Sequence, residues 1–208
     1  MKPRAFVNSC LSLLFAAFAF SAMAEGDYVL KLGDKSIDVS LGEKQTVTLT
    51  NGQQVTVLLT KKDVLTFQND SFSFRHKSTF SPSKSDLGND VRQTMMTTAL
   101  GTGIIVQDYG SLDPSSMIDL MVNELTKEEI RAGYKKEEKA VEKKLPDGTV
   151  LKGKTVVTTY KDDQWTRSVL ASGSGEKGIL VVTFIEKSNL TEQPMIDLFW
   201  ESLRMKKR

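Results

Sequence analysis

Cysteine is all but absent from this chain: Cys10 is the only one, and it lies near the start. That excludes thiol catalysis, cysteine-rich zinc sites and a disulfide scaffold from everything downstream of it. Histidine is as scarce, with His76 alone, so zinc patterns of the H-E-x-x-H type are excluded, and no EF-hand loop or G-x-S-x-G elbow occurs. Metal and cofactor are accordingly expected to be none. Long apolar runs are missing too. Leu11 to Phe20 is the longest near the start, too short to span a bilayer comfortably, and no later segment is long and apolar enough to cross.

What precedes and follows that run reads as an export signal. Lys2 and Arg4 form a basic leader, and Ala22-Met23-Ala24 places small residues where a signal peptidase reads. Residues 1–24 are therefore expected to be cleaved and the product to be periplasmic or secreted. The leader holds two of the 28 basic side chains and none of the 26 acidic ones. The remainder is then neutral, which removes the charge argument for nucleic acid as a partner.

Short strands with tight turns fill residues 25–62, with Asn51-Gly52 as the strongest hairpin signal. This region reads as a β-hairpin-rich N-terminal appendage. Beyond it, Val64 to Gln68 and Phe72 to Arg75 read as strands, and Ser78 to Asn89 as a loop. Val91 to Leu100 and Gly103 to Tyr109 follow as a strand pair. Asp113-Pro114 caps and opens a helix whose Met117, Ile118, Met121, Val122 and Leu125 share a stripe. Lys135 to Lys144 reads as a charged edge strand. Val150 to Tyr160, Trp165 to Ala171 and Gly178 to Glu186 form an antiparallel meander, and a closing helix is expected from about Thr191 to Met205, with Lys206, Lys207 and Arg208 at its negative pole.

The run Gly178 to Glu186 decides the expected architecture. Ile179, Val181, Thr183 and Ile185 point to one side and Leu180, Val182 and Phe184 to the other, so the strand is apolar on both faces and covered on both. With two amphipathic helices available as covering layers, the expectation for residues 63–208 is an α/β (α+β) domain in which helices sandwich an antiparallel sheet.

The strand opening with Ser71-Phe72-Ser73-Phe74, the polar loop, the strand pair, the helix near 114–132, the meander with Gly153 near its start and the closing helix with Leu198 and Leu203 together resemble the PsbP/Mog1-like superfamily, including DcrB-like bacterial envelope proteins. The resemblance covers about residues 64–206. It implies an α/β/α sandwich and a small binding or assembly role. No functional residue of that superfamily has a matching position here.

Gly173-Ser174-Gly175-Glu176-Lys177-Gly178 fits G-x-G-x-x-G, but a strand follows where a dinucleotide site needs a helix, so it reads as a hairpin turn. For metal binding, Asp108, Asp113, Asp162 and Asp163 are the available carboxylates, with Asp113 better read as a helix cap and Asp162-Asp163 as turn residues. The binding candidates are Arg75 and His76 on one strand, and Tyr160, Trp165 and Arg167 across a turn, since aromatics with arginine form binding patches. Together these point to an exported, non-catalytic binding or assembly protein of the cell envelope, acting through a protein partner or small ligand at a sheet edge or loop end. Two alternatives stand beside it: a hydrolase using His76 with a loop serine or aspartate, and an adaptor whose N-terminal hairpins dock a partner.

Overall fold

In a computed structural model the chain is described from Tyr28 to Lys206. The expected leader and the last two residues, Lys207 and Arg208, lie outside the described residues. The chain forms two compact units, Met1–Thr60 and Lys61–Arg208.

The described part of the first unit is two antiparallel hairpins. Strands β1 (Tyr28–Leu32) and β2 (Lys35–Val39) turn at Gly33-Asp34, while β3 (Lys44–Thr48) and β4 (Gln54–Leu58) flank Asn51-Gly52. A bridge between Leu41 and Leu59 and a hydrogen bond from Lys35 Nζ to the Thr48 carbonyl (2.8 Å) join the hairpins. Val39 and Val47 are its buried apolar side chains.

The second unit begins with β5 (Val64–Gln68) and β6 (Phe72–Lys77), followed by β7 (Ser83–Asp86), β8 (Val91–Thr97) and β9 (Gly103–Tyr109). A 3-10 turn over Pro114–Met117 leads into α1 (Ile118–Arg131). Four long strands come next: β10 (Lys135–Lys144), β11 (Val150–Tyr160), β12 (Asp163–Ser174) and β13 (Lys177–Glu186). A second 3-10 stretch, α2 (Gln193–Ser202) and a two-residue strand β14 (Arg204–Met205) close the chain. Seven strands form one antiparallel sheet in the order β10-β11-β12-β13-β9-β8-β7, and a second sheet runs β14-β6-β5. The doubly apolar β13 lies at the centre of the large sheet.

Its two faces meet different partners. Leu180 and Val182 join Val156, Val169, Ala171, Tyr109 and the α1 side chains Val122, Met121 and Leu125. Ile179, Val181 and Ile185 join Ile104, Val106, Leu151 and Leu170, and are covered by Phe72, Phe74, Phe199 and Leu203. Phe72 and Phe74 belong to β6. The expected helical sandwich is therefore incorrect: the second unit is predominantly β, and the layer opposite α1 is the small phenylalanine-bearing sheet together with α2. Simple dimensions explain why. Ten residues of α-helix reach about 15 Å, whereas seven strands at about 4.8 Å spacing span nearly twice that, so α2 alone cannot cover the face.

Two local expectations also change. Ser83–Asp86 is a paired edge strand rather than loop, held to β8 by backbone bonds that need no apolar side chains. The closing helix ends at Ser202 because Leu203 is extended (φ −61°, ψ 125°) and Arg204–Met205 pair with Ser73 and Phe72. Lys206 consequently lies beyond the helix pole, its N–H donating to the Ser71 carbonyl at 2.8 Å. Among the described residues no helix is long and apolar enough to cross a membrane.

Candidate functional site

The hairpin between β11 and β12 brings Tyr160, Trp165 and Arg167 together at one end of the large sheet. In its register Thr158 faces Trp165 and Tyr160 faces Asp163 across a two-residue turn of Lys161 and Asp162. The end of α1 supplies the rest. Gly133 takes a positive φ of 93°, which stops the helix and delivers Tyr134 over the turn. The Tyr134 ring lies 5.4 Å from that of Tyr160, and its hydroxyl donates to Asp163 Oδ2. This hydrogen bond to a carboxylate, with burial and nearby negative charge adding to it, pushes the Tyr134 phenol up to about 12.

Arg167 is not available as a ligand group. Its guanidinium is held on two nitrogens by Glu129 of α1, at 2.9 and 2.5 Å, and one nitrogen also reaches Thr158 Oγ1 at 3.1 Å. Thr158 in turn donates to Glu129 at 2.6 Å. The Trp165 ring covers what remains, its centroid 5.2 Å from Arg167 Cζ. A planar cation saturated by a bidentate carboxylate and an aromatic face is a fixed support. What it supports is Trp165.

Around Trp165 the same end of the sheet presents apolar side chains to solvent. Its Cη2 lies against the β8–β9 turn, 3.4 Å from where a Cβ on Gly101 would stand. Beside Gly101 is Leu100, whose carbonyl accepts from Asn189 Nδ2 at 2.7 Å, and Leu190 follows. Leu100, Leu190 and Tyr160 are 54%, 56% and 42% exposed. Sequence reading finds the three aromatic and arginine positions and takes Asp163 for a turn residue, but misses Glu129, Tyr134, Leu100 and Leu190. Their signals are single residues in turns or on the polar flank of a helix, which no spacing rule singles out.

Arg75 and His76 stand apart from this end, on β6, and point to opposite sides of it. His76 is buried, with its ring edge to Phe74 at 6.2 Å and Nδ1 3.0 Å from the Lys77 carbonyl. Among the described residues its ring makes no hydrogen bond to a serine or a carboxylate, so the base–nucleophile geometry a hydrolase needs is not formed. Arg75 faces outward into a cleft at the edge of the small sheet.

Three of the four carboxylates considered for metal binding, Asp108, Asp113 and Asp163, are hydrogen-bonded within the chain. Asp108, buried on the interior strand β9, accepts from Ser71 Oγ and from Arg92 Nη2 (2.8 Å). Asp113 accepts the Ser115 N–H at 2.9 Å, and that hydrogen bond holds its carboxyl below the usual range. Asp163 takes the Tyr134 proton donor and Asp162 forms the turn. Among the described residues no cluster of three metal-ligating side chains occurs. Comparison with protein-family models and with curated proteins finds no match for this chain, and the resemblance to the PsbP/Mog1-like superfamily rests on the motifs quoted above.

Proposed function

We propose that this chain is an exported binding or assembly protein of the cell envelope that works without catalysis, through a protein partner held at the loop end of its large sheet. One observation carries the reading: Leu100, Tyr160 and Leu190 stand exposed around Trp165, which is braced from behind by Arg167 and Glu129. Aromatic and aliphatic side chains on a rigid support with a polar rim match the composition of interface cores. Rigidity matters because an anchor already in its bound rotamer loses less entropy on association.

A photo-crosslinking amino acid placed at Leu190 in the native host envelope tests this. The expected result is a discrete adduct that disappears when Leu100→Asp is added, with the melting temperature unchanged. Absence of adducts from positions 100, 160 and 190, with adducts forming from the opposite end of the sheet, overturns it.

The N-terminal unit favours a second reading as an adaptor. Tyr28, Val29, Leu41 and Leu58 are exposed, and among the described residues of that unit Val39 and Val47 are the buried hydrophobic side chains. Deleting residues 28–60 then abolishes partner capture while the loop-end variants leave it intact.

A further inference from the structure

Three of the five arginines among the described residues pair with carboxylates: Arg92, Arg131 and Arg167. The two that do not, Arg75 and Arg204, line one cleft. We infer that this cleft is a binding site for an oxyanion, a carboxylate or phosphate group carried on a small ligand, clamped between Arg75 and Arg204. The inference is independent of the loop-end surface, which lies elsewhere on the unit.

Strand register places the pair. Arg204 of β14 stands opposite Ser73 of β6, and Arg75 is two residues further along β6 on the same outward face. Same-face diagonal neighbours of this kind lie about 7–8 Å apart, within reach of one another for long side chains. Two guanidiniums could then approach one anion from two sides. The cleft has a volume of about 510 Å³, and Thr66, Ser73 and Ser202 bring hydroxyl groups into its lining. Ser202 Oγ is already spent, accepting the Arg75 N–H at 2.8 Å and donating to Leu198. Those bonds fix the backbone from which Arg75 extends.

Fold stability does not account for the pair. Like charges this close on one sheet face repel, and neither guanidinium gains a hydrogen bond, an ion pair or an aromatic face among the described residues. An anion would remove the repulsion and supply acceptors in the fork geometry that guanidinium recognises. Glu201, in the same lining, sets the limit on how much negative charge the site tolerates. Arg75 and Arg204 are exposed, so the attraction is screened by salt and is strongest at low ionic strength.

The test titrates inorganic phosphate and, separately, citrate into the full chain at low ionic strength, following the arginine Nε–H resonances. Saturable shifts at Arg75 and Arg204, with ion-paired Arg131 unmoved, are expected from at least one anion. Phosphate alone saturating assigns a phosphorylated ligand, and citrate alone a carboxylate. Arg75→Gln and Arg204→Gln each weaken binding about tenfold or more, as loss of a charged hydrogen-bond donor does, while Glu201→Gln tightens it. Lys77→Gln removes a cation from the same outward face but outside the lining, and changes affinity less than about twofold, since it removes only screened surface charge. All four substitutions are on exposed side chains, so thermal melts confirm that the variants remain folded. No saturation with either anion overturns the proposal, as does a loss in Lys77→Gln equal to that in the arginine variants.

Discussion

At the level of single residues, the Arg167–Glu129 pair is where the loop end is most sensitive. The two side chains are only 11% and 19% exposed, so each relies on the other for what water would provide. Glu129→Gln leaves Arg167 charged and without its counterion, which destabilises by about 3–5 kcal/mol in sites of this kind. Arg167→Met with Glu129→Leu removes both charges and is expected to be close to neutral. Urea denaturation of the two single variants and the double gives the coupling directly, and a loss below about 1 kcal/mol in Glu129→Gln would mean the pair is exchanged for water at little cost.

Tyr134 gives a second residue-level test. Because the folded chain raises its phenol from 10.0 to about 12, the folded state holds that proton more tightly than the unfolded one. Its stabilisation is complete below pH 10.0 and is lost as the pH rises through about 12. Alkaline titration of the phenolate absorbance is therefore expected to show a late-ionising component shared by Tyr134 and by Tyr109, whose phenol burial also raises, and Asp163→Asn brings only the Tyr134 part back towards 10. No late component in the wild-type titration would contradict the hydrogen bond.

Among the secondary-structure elements, β10 shows how composition controls association. It pairs with β11 alone, which leaves ten residues of unpaired strand edge. Its charges serve two purposes. Lys136 and Glu138 pair with each other, and Lys154 and Lys152 of β11 reach Glu138 and Glu142, while the density of charge discourages docking of a second edge. On its other side β11 is held tightly to β12, since a Cβ at Gly153 would stand 2.0 Å from the Val169 carbonyl oxygen. Replacing exposed Glu137 and Lys139 with valine keeps the strand propensity and removes the deterrent. The expected outcome is a higher sedimentation coefficient than wild type that grows with concentration. Unchanged sedimentation would show that the edge is protected by something other than charge.

For the molecule as a whole, what could be read beforehand follows from which interactions are local. Alternation in Ile179 to Ile185, the Asp113-Pro114 cap and the charged Lys135–Lys144 strand are local patterns; both strands form where their residues point, while the cap opens a 3-10 turn and the α-helix starts one turn later, at Ile118. The covering of the sheet is not local. Phe72 and Phe74 announce an apolar strand face, but nothing in their spacing says that this face closes over Ile104, Val106 and Val181 from far along the chain. A helix stripe is a stronger local signal than a two-residue phenylalanine spacing, and the sequence therefore points to α2 for a layer that β6 largely provides. Likewise Arg75 could be singled out by type, while its partner Arg204 enters the site only because the helix ends at Ser202 and β14 pairs with β6. The Phe199 and Leu203 side chains pull that pairing into place, both fully buried in the same core.

The distribution of buried side chains also decides how the chain unfolds. Among the described residues, Val39 and Val47 are the buried apolar side chains of the first unit, and the other buried apolar residues lie in Lys61–Arg208. Burial contributes roughly 25 cal/mol per Å² of apolar surface, and a hairpin pair with two buried valines is marginal by that measure. Among the described residues, both core clusters are made of side chains of the second unit. A chain beginning at Lys61 is therefore expected to keep the far-UV and near-UV circular dichroism of its own strands and aromatic core, and to melt cooperatively within a few degrees of the parent. Hydrogen exchange in the full chain gives the complementary reading, with fast exchange across β1 to β4 and slow exchange centred on β13. A truncated chain that loses near-UV ellipticity or melts without cooperativity would show that the β core borrows stability from residues before Lys61.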